Sequence, residues 1–489
     1  MIFNSKLVKG QSLFFRCFRG GAVLGVGTAV ERGMRFVINM ILARLLAPDQ
    51  FGLMALVFAA IGLYETLTEV GVRQSVIQNK NGEAVEFLNV AWWFSSIRGA
   101  VLYFIGILTA SQVAGFYNEP SLAPMLRVAF LTMLFQGLTN PNLYVLEKRM
   151  QFGRYVWIVQ GSAILGNLIC IGMAFCIPNV WALVVGVVAQ AFLRCVGSFV
   201  LCPFRLSFQF DRSSWNEIFR FSRRMAGLPI LTYLFTQADI LVMGKMVNAD
   251  ILGMYSLVLS LVSIPKMLFT NIANPLILPV LAAAQDSQLT LQNHLLKMTR
   301  LLFLFGLPIA TCLAVFSGSI LTVVYGEQYT QVSLSFSILC FYVLIYLSGA
   351  LIVSVYLALG RPDVHRYFTI IRVVLMGLFL YPAIVWFGPT GAAAARLLCL
   401  ILPGIVQQIN LSRLINLSLL QYILTLKEGV LLSIVIFPVS LYLRNLSETP
   451  IIQIVIAAGL CVLVWLYILW GKRESIRNLF IRKNSSTAI

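Results

Sequence analysis

Long apolar runs follow one another along almost the whole chain and are separated by short polar connections. Each run is close to the ~20 residues that a helix needs to cross a hydrocarbon core of ~30 Å. The runs are apolar on nearly all sides, whereas the strands of a membrane barrel would alternate in hydrophobicity over ~10 residues. The pattern therefore predicts about fourteen transmembrane helices, over residues 22–44, 53–78, 88–113, 122–145, 155–176, 180–203, 224–247, 251–275, 296–317, 330–358, 367–388, 390–410, 425–443 and 450–470.

The charged residues are few and unevenly placed. Of 489 residues, 59% are hydrophobic and 11% are charged, far below the roughly 25% charge of soluble chains, so we expect an all-α, polytopic membrane protein. The net charge of +18 does not indicate a nucleic-acid partner, because Lys and Arg concentrate in alternate connections, as they do in cytoplasmic loops. Both termini are predicted to be cytoplasmic, and the basic segments to contact anionic phospholipids.

An internal repeat divides the chain. Residues 43–57 align with residues 244–258, which pairs Gly52 with Gly253. An even number of predicted helices separates the copies, so both have one orientation in the membrane, and two parallel lobes around a central site are typical of transporters. The predicted organisation is two pseudo-symmetric six-helix lobes plus two extra C-terminal helices: a cytoplasmic N-terminal segment (1–21), an N-lobe (22–203), a cytoplasmic linker (204–223), a C-lobe (224–410), helices thirteen and fourteen (411–470) and a basic cytoplasmic tail (471–489).

Ionisable residues also occur at membrane depth. Each one costs at least ~2.5–3.5 kcal/mol there, so it requires a partner, a wet cavity or a function. Basic residues outnumber acidic ones at this depth, which favours an anionic ligand. The basic candidates for binding the ligand are Arg35, Arg73, Arg98, Arg194 and Lys266, with Arg32 and Arg396 at similar depth. The acidic candidates for coupling or gating are Glu31, Glu65, Glu69 and Asp239.

Two of these acids have a basic residue four positions further along the same helix. Residues four apart share a helix face, which predicts pairing of Glu31 with Arg35 and of Glu69 with Arg73. The alternative to a functional role for these four residues is a pair of self-neutralising structural ion pairs.

Three basic residues have no such neighbour. Arg98, Arg194 and Lys266 lack an acidic residue three or four positions away, which makes them the better candidates for binding substrate. Structural pairing between the lobes is the alternative for each. The repeat also aligns Glu65 with Lys266, which predicts that these two residues meet across a central cavity.

Motifs for catalysis and for cofactors are missing from the sequence. No G-x-x-x-x-G-K-[ST] loop is present, so ATP hydrolysis by that route is not expected. The two histidines, His294 and His365, have no Cys or carboxylate at metal-ligand spacing. The nine cysteines make no C-x-x-C pair. We therefore expect no cofactor, no metal site and no enzymatic activity.

Several segments carry a family resemblance. They are A-R-L-L-A-P-D-Q-F-G-L at 43–53, E-V-G-V-R at 69–73, V-I-Q at 76–78, E-I-F-R-F-S at 217–222 and D-I-L-V-M-G-K at 239–245. The segments resemble the polysaccharide transporter family of the multidrug/oligosaccharidyl-lipid/polysaccharide flippase superfamily, in particular Wzx-type and colanic-acid-type flippases. The resemblance implies a helical bundle with a cationic central cavity that flips undecaprenyl-diphosphate-linked oligosaccharide across the bacterial inner membrane without ATP. Members of that family differ in which basic residues hold the diphosphate, so the candidates above come from depth in this sequence.

The main hypothesis is a flippase for an exopolysaccharide, capsule or O-antigen repeat unit. Its expected partners are the lipid-linked oligosaccharide and the polysaccharide polymerase and chain-length machinery; the membrane potential, a proton or Na⁺ would drive it. One alternative is a drug/cation antiporter of the related multidrug class, which requires a cavity of net negative charge. Another is a polymerase or ligase with catalytic Arg or His on a large outer loop, whereas the predicted outer loops are short.

Overall fold

The computed structural model describes residues 3–67, 71–203, 207, 211–225, 227–270 and 274–471. Within these ranges every regular element is a helix, which confirms the predicted all-α class. In chain order the helices are α1 (Phe3–Leu45), α2 (Pro48–Leu67), α3 (Val72–Gln78), α4 (Val85–Tyr117), α5 (Leu122–Ala129), α6 (Leu131–Leu138), α7 (Asn142–Lys148), α8 (Phe152–Cys176), α9 (Val180–Leu201), α10 (Arg212–Met225), α11 (Leu228–Met246), α12 (Ala249–Leu268), α13 (Asn274–Ala283), α14 (Gln288–Val315), α15 (Ser317–Val324), α16 (Ser333–Ala358), α17 (Pro362–Leu414), α18 (Leu419–Asn445) and α19 (Pro450–Gly471).

About half of these helices are long and apolar enough to cross a membrane. Within the described residues nine helices meet that requirement, or ten if α5, α6 and α7 together form one bent span. Helix α17 alone covers two predicted spans, and α1, α11 and α19 coincide with three more, at 22–44, 224–247 and 450–470. The chain is therefore a multi-pass membrane protein, and its helices are compatible with the fourteen predicted spans.

Two predicted spans are interrupted. The run at 122–145 was expected to form one helix, but the axis bends by 62° between α6 and α7. Pro141 lies at the bend and has no N–H to donate, while the Asn140 side chain donates to the Ser198 carbonyl oxygen on α9 (3.2 Å). The run at 53–78 is likewise divided, because α2 ends at Leu67 and α3 begins at Val72.

One helix lies where the sequence analysis placed only a linker. Helix α10 occupies much of 204–223, and the Asp211 carboxylate accepts a hydrogen bond from the Ser214 backbone N–H (2.9 Å) in its first turn. Ile218 is fully buried within an apolar cluster that includes Val76 and Phe87. The helix is amphipathic and rich in arginine, so a search for continuous apolar runs does not detect it.

The chain forms two compact units whose boundary differs from that of the sequence repeat. The first unit comprises the residues up to Ile264 together with Thr369–Ala392, and the second comprises Pro265–Phe368 and the residues from Ala393 onward. Helix α11 and most of α12 therefore belong with the helices of the predicted N-lobe. The pseudo-symmetric six-helix lobes stay a prediction.

Within the first unit, α2 and α12 cross at equivalent positions of the repeat. A Cβ atom on Gly52 would lie 2.0 Å from the Ala249 carbonyl oxygen, and one on Gly253 would lie 1.8 Å from the Pro48 carbonyl oxygen. The alignment of 43–57 with 244–258 pairs Pro48 with Ala249 as well as Gly52 with Gly253. The contact is thus reciprocal, as expected for two segments related by an approximate two-fold axis.

The second unit has its own apolar core. Helices α13, α14, α16 and the end of α17 contribute buried side chains that include Leu295, Val355 and Leu411. Helix α18 packs closely on α14 at Gly429, where a Cβ atom would lie 2.4 Å from the Phe303 carbonyl oxygen. These packed helices form the apolar core of the second unit.

Candidate functional site

The first unit contains two adjoining polar cavities. We call the larger one, of about 480 Å³, the amide cavity; it is lined by residues of α1, α2, α6, α8, α9 and α12. The smaller one, of about 220 Å³, is the arginine cavity, lined by residues of α2, α3, α4, α6, α7 and α9. Glu65, Gln136 and Arg194 line both, so the two cavities are adjacent and share part of their walls.

The arginine cavity brings together three of the predicted basic residues. Arg73, Arg98 and Arg194 line it, and Glu65 is the one carboxylate among its lining residues. The Arg98 guanidinium donates to the Glu65 backbone carbonyl oxygen (2.9 Å), which fixes it beside α2. The structure therefore brings three of the five basic candidates together from separate helices; their role in binding stays a prediction.

Arg194 has the least local compensation of these residues. Its Nε atom is buried and has no hydrogen-bond partner, and no described carboxylate lies within ion-pair distance of its guanidinium. The Arg194 side chain is half-buried, and a charge that is partly removed from water without a counter-charge is unfavourable. An anion in the cavity would supply the missing counter-charge.

Arg73 differs from Arg194 because it has a strong partner. Its Nε and terminal nitrogen donate to the two carboxylate oxygens of Glu147 at 2.9 and 2.5 Å. The sequence had offered Glu69 as the partner, and Glu69 lies outside the described residues. Glu147 was missed because it lies 74 positions away along the chain, beyond any in-helix pairing rule. The bidentate pair reduces the charge that Arg73 can offer to a ligand.

Arg35 lines the amide cavity and is also paired. Its terminal nitrogen lies 3.0 Å from a Glu31 carboxylate oxygen, which confirms the predicted pair. The other Glu31 oxygen lies 3.0 Å from Arg32 Nε. Glu31 is buried and serves two guanidinium groups, so this triad keeps a net positive charge beside the cavity.

The remaining candidates do not line these cavities. Lys266, in the second unit, places its ammonium 4.1 Å from the centre of the Tyr346 ring, a distance that stabilises a cation by its attraction to the aromatic face. Asp239, in the first unit, is fully buried and accepts a hydrogen bond from Tyr255 Oη (2.9 Å). Their roles in binding or coupling stay predictions, as does the pairing of Lys266 with Glu65.

The sequence analysis missed the uncharged polar side chains of the amide cavity. Four carboxamides line it, each from a different helix: Asn39, Gln136, Asn167 and Gln190. Hydroxyl groups of Thr132, Ser256 and Ser260 join them. The only signal in the sequence is the interruption of apolar runs by amides, which does not show which way a side chain faces.

The side chains that line the two cavities are suited to binding a ligand. Guanidinium groups favour phosphate oxygens, and carboxamides both donate to and accept from hydroxyl groups. Among the described residues no group of three His, Cys, Asp or Glu side chains is placed to hold a metal ion. The arrangement suits a ligand with an anionic part and a hydroxyl-rich part.

Comparison with known proteins gives three results. Residues 41–334 match the family model described as polysaccharide biosynthesis protein. The chain is 24% identical over 424 residues to lipopolysaccharide biosynthesis protein WzxC of Escherichia coli (strain K12), with 85% of each chain covered. Its fold is similar to that of lipid II flippase MurJ in the inward closed conformation, with a TM-score of 0.74 and 13% identity over 92% of this chain and 99% of that chain.

A further solved structure shows the same fold. An inward-facing multidrug resistance MATE family transporter of the MOP superfamily matches with a TM-score of 0.63 and 12% identity, over 79% of this chain and 96% of that chain. At these identities the two structural likenesses concern the fold alone. Because the fold is common to a flippase and a multidrug transporter, the choice between them depends on the site.

Proposed function

Because the chain belongs to the polysaccharide biosynthesis protein family, as its sequence segments predicted, we propose that it is a flippase for undecaprenyl-diphosphate-linked oligosaccharide. It carries the repeat unit of an exopolysaccharide, capsule or O-antigen across the bacterial inner membrane by alternating access. The observation that carries this proposal is the arginine cavity, which joins a cationic site to a second cavity lined by carboxamides.

Arg98 and Arg194 are the principal diphosphate ligands in this proposal. Arginine presents a planar set of donors that matches two phosphate oxygens at once. Arg194 has no carboxylate partner within reach among the described residues, whereas Arg73 and Arg35 are held by Glu147 and Glu31. The latter two therefore contribute mainly through their electrostatic field. Lys266 is a further proposed ligand, and it belongs to the second unit.

We propose that the driving force for transport acts on the negative charges of the diphosphate. With both termini in the cytoplasm, transport moves the diphosphate outward, and two negative charges crossing ~100 mV release about 4–5 kcal/mol at ~2.3 kcal/mol per charge. A coupled proton or Na⁺ is the alternative source. Of the four acids proposed for coupling or gating (Glu31, Glu65, Glu69 and Asp239), Glu65 is the best placed, because it lines both cavities.

The second candidate function is drug/cation antiport. The MATE-like fold permits it, but among the described residues the two cavities are lined by Arg35, Arg73, Arg98 and Arg194 with Glu65 as the one carboxylate. An organic cation would be repelled from such a site.

We also propose that the protein is not an enzyme and that it works with a polysaccharide polymerase, its chain-length machinery and anionic phospholipids of the cytoplasmic leaflet.

The cellular test is deletion of the gene in its host followed by complementation. Deletion is expected to abolish one surface polysaccharide and to accumulate its lipid-linked repeat unit. The wild-type gene and Arg127→Gln should restore the polysaccharide, because Arg127 bonds Ser111 on the surface and lines neither cavity. The Arg98→Gln, Arg194→Gln double variant should not restore it. Full restoration by this double variant would refute the assignment of the diphosphate site.

A further inference from the structure

We propose that the four carboxamides of the amide cavity form a sugar-binding subsite that decides which oligosaccharide is carried. We call Asn39, Gln136, Asn167 and Gln190 the carboxamide cluster. The ligand class is an uncharged, hydroxyl-rich glycan, distinct from the diphosphate that the arginines take. The inference rests on the proposed function and assigns to these residues the part of the ligand that differs from one polysaccharide to another.

The first observation is the lack of protein partners for these amides. Within the described part of the chain, no hydrogen bond engages the side chains of Gln136 and Gln190, and the buried Nδ2 of Asn167 has no acceptor. Asn39 has a single long contact, 3.5 Å from Nδ2 to Ser260 Oγ. Amides in membrane helices normally bond a neighbouring helix, and the buried Asn167 Nδ2 without an acceptor is unfavourable. Gln136 is exposed and Gln190 is half-buried, so both amides are accessible to a ligand in the cavity. Their partner is therefore expected to enter the cavity.

The second observation is convergence. The cluster draws one residue from each of α1, α6, α8 and α9, although these positions lie far apart in sequence. Each carboxamide offers two donors and an acceptor oxygen, which matches sugar hydroxyl groups that both donate and accept. Phe51 and Phe58 line the same cavity and present apolar surface to the faces of sugar rings.

The third observation is the order of the two cavities. Gln136 and Arg194 line both, so the arginine cavity and the carboxamide cluster are directly adjacent. A diphosphate-linked sugar has the same order of groups, anionic and then hydroxyl-rich. The volume of about 480 Å³ lies within the 300–1,000 Å³ that is usual for small-ligand sites. The ligand is thus oriented with its first sugar near Gln136 and later sugars toward Asn39 and Asn167.

A site that bonds hydroxyl groups discriminates strongly, because a ligand that lacks the hydroxyl leaves buried polar groups unpaired. The cluster therefore sets specificity without contributing to recognition of the lipid diphosphate. Replacing an amide by an apolar residue of similar size should weaken transport of the complete oligosaccharide and spare a substrate that carries only the first sugar.

The experiment measures flipping of two substrates by the purified full-length protein in liposomes. One is the lipid-linked oligosaccharide extracted from the deletion strain, and the other is the same lipid diphosphate with a single sugar. Gln190→Leu and Asn167→Leu should each slow the first substrate about tenfold, the effect of one lost hydrogen bond of ~1.4 kcal/mol, and change the second less than twofold. Arg194→Gln should slow both.

Gln160→Leu is the matched control, because Gln160 also lies on α8 but donates to Thr28 Oγ1 (3.4 Å) and lines neither cavity; it should leave both rates unchanged. Asn39→Leu replaces Asn167→Leu if the latter does not fold, because Asn39 lines the amide cavity alone. Equal slowing of both substrates by the Leu variants, or no slowing of either, would overturn the subsite. Failure of the wild-type protein to flip either substrate would instead count against the proposed function.

Discussion

At the scale of single residues, the charges that matter are those that line the arginine cavity. Arg98 and Arg194 were predicted from the absence of an in-helix partner, and both line the arginine cavity. The Glu31–Arg35 pair was also predicted, because its geometry is local. Glu147 and the carboxamide cluster were not, because long-range pairing and the direction in which a neutral side chain faces depend on how helices pack.

The Glu31 triad gives a prediction at this scale. Glu31→Gln removes the counter-charge of both Arg32 and Arg35, whereas Arg35→Gln leaves Glu31 paired with Arg32. Loss of one partner from a buried ion pair typically destabilises the folded protein by about 3–5 kcal/mol. Because both arginines are partly exposed, we expect a cost near the lower end of this range. We expect Glu31→Gln to lower the thermal unfolding temperature in detergent clearly more than Arg35→Gln. Equal or reversed shifts would contradict the shared role of Glu31.

At the scale of elements, the apolar runs predicted where helices lie but not where they break. The bend at Asn140 and Pro141 uses a hydrogen bond to a distant helix, and α10 is held by a buried Ile218 within an otherwise polar segment. Helix α17 runs through Gly388 at a φ of 56°, a conformation that glycine adopts at low cost. Each of these features depends on tertiary contacts that hydropathy does not report.

The crossing of α2 and α12 is the element contact most sensitive to a methyl group. Gly52→Ala or Gly253→Ala would place Cβ at 2.0 or 1.8 Å from a backbone carbonyl oxygen, so the helices must separate. We expect either change to cost a few kcal/mol, as overpacking does, measured as the loss of folded protein during thermal unfolding. Gly115→Ala is the control, because its Cβ would meet nothing within 4 Å. Indistinguishable unfolding of all three variants would show that the helices are not packed as described.

A second prediction at this scale concerns pH. The Arg149 guanidinium donates to Glu83 Oε2 (2.9 and 2.6 Å) between two connections of the first unit, and this holds the pKa of Glu83 below its usual 4.5. A carboxylate whose pKa is lower in the folded state than in the unfolded state stabilises the folded protein at any pH above its unfolded-state pKa. This stabilisation is lost as the pH falls through the folded-state pKa. Arg149→Gln should therefore destabilise by a few tenths of a kcal/mol at pH 7, and the difference should shrink as the pH falls below 4.5 and disappear once the pH is below the folded-state pKa of Glu83. A difference that persists in acid would exclude this ion pair as its cause.

At the scale of the whole molecule, family and fold class were predictable from the sequence because hydropathy and short segments report them directly. Helix α11 and most of α12 join the first compact unit, whereas the repeat assigns them to the second predicted lobe. That difference has a functional consequence, because Ser256 and Ser260 of α12 line the amide cavity with the N-terminal helices.

The orientation of the protein in the membrane is testable with reporter fusions. Alkaline phosphatase fused after Asn118, between α4 and α5, should be active because we predict that connection to lie outside. A fusion after Met150, between α7 and α8, should be inactive because basic residues flank it in the cytoplasm. The opposite activities would invert the proposed direction of transport.

The central claim is that the arginine cavity carries a diphosphate-linked oligosaccharide across the membrane. The most direct measurement is translocation of fluorescent undecaprenyl-diphosphate-linked oligosaccharide by the purified protein in liposomes, followed as loss of accessibility to an external quencher or glycosidase. We predict translocation by the wild-type protein and by Arg127→Gln, and at least a tenfold lower rate after Arg98→Gln with Arg194→Gln. An unchanged rate in that double variant, or no translocation by the wild-type protein, would contradict the claim.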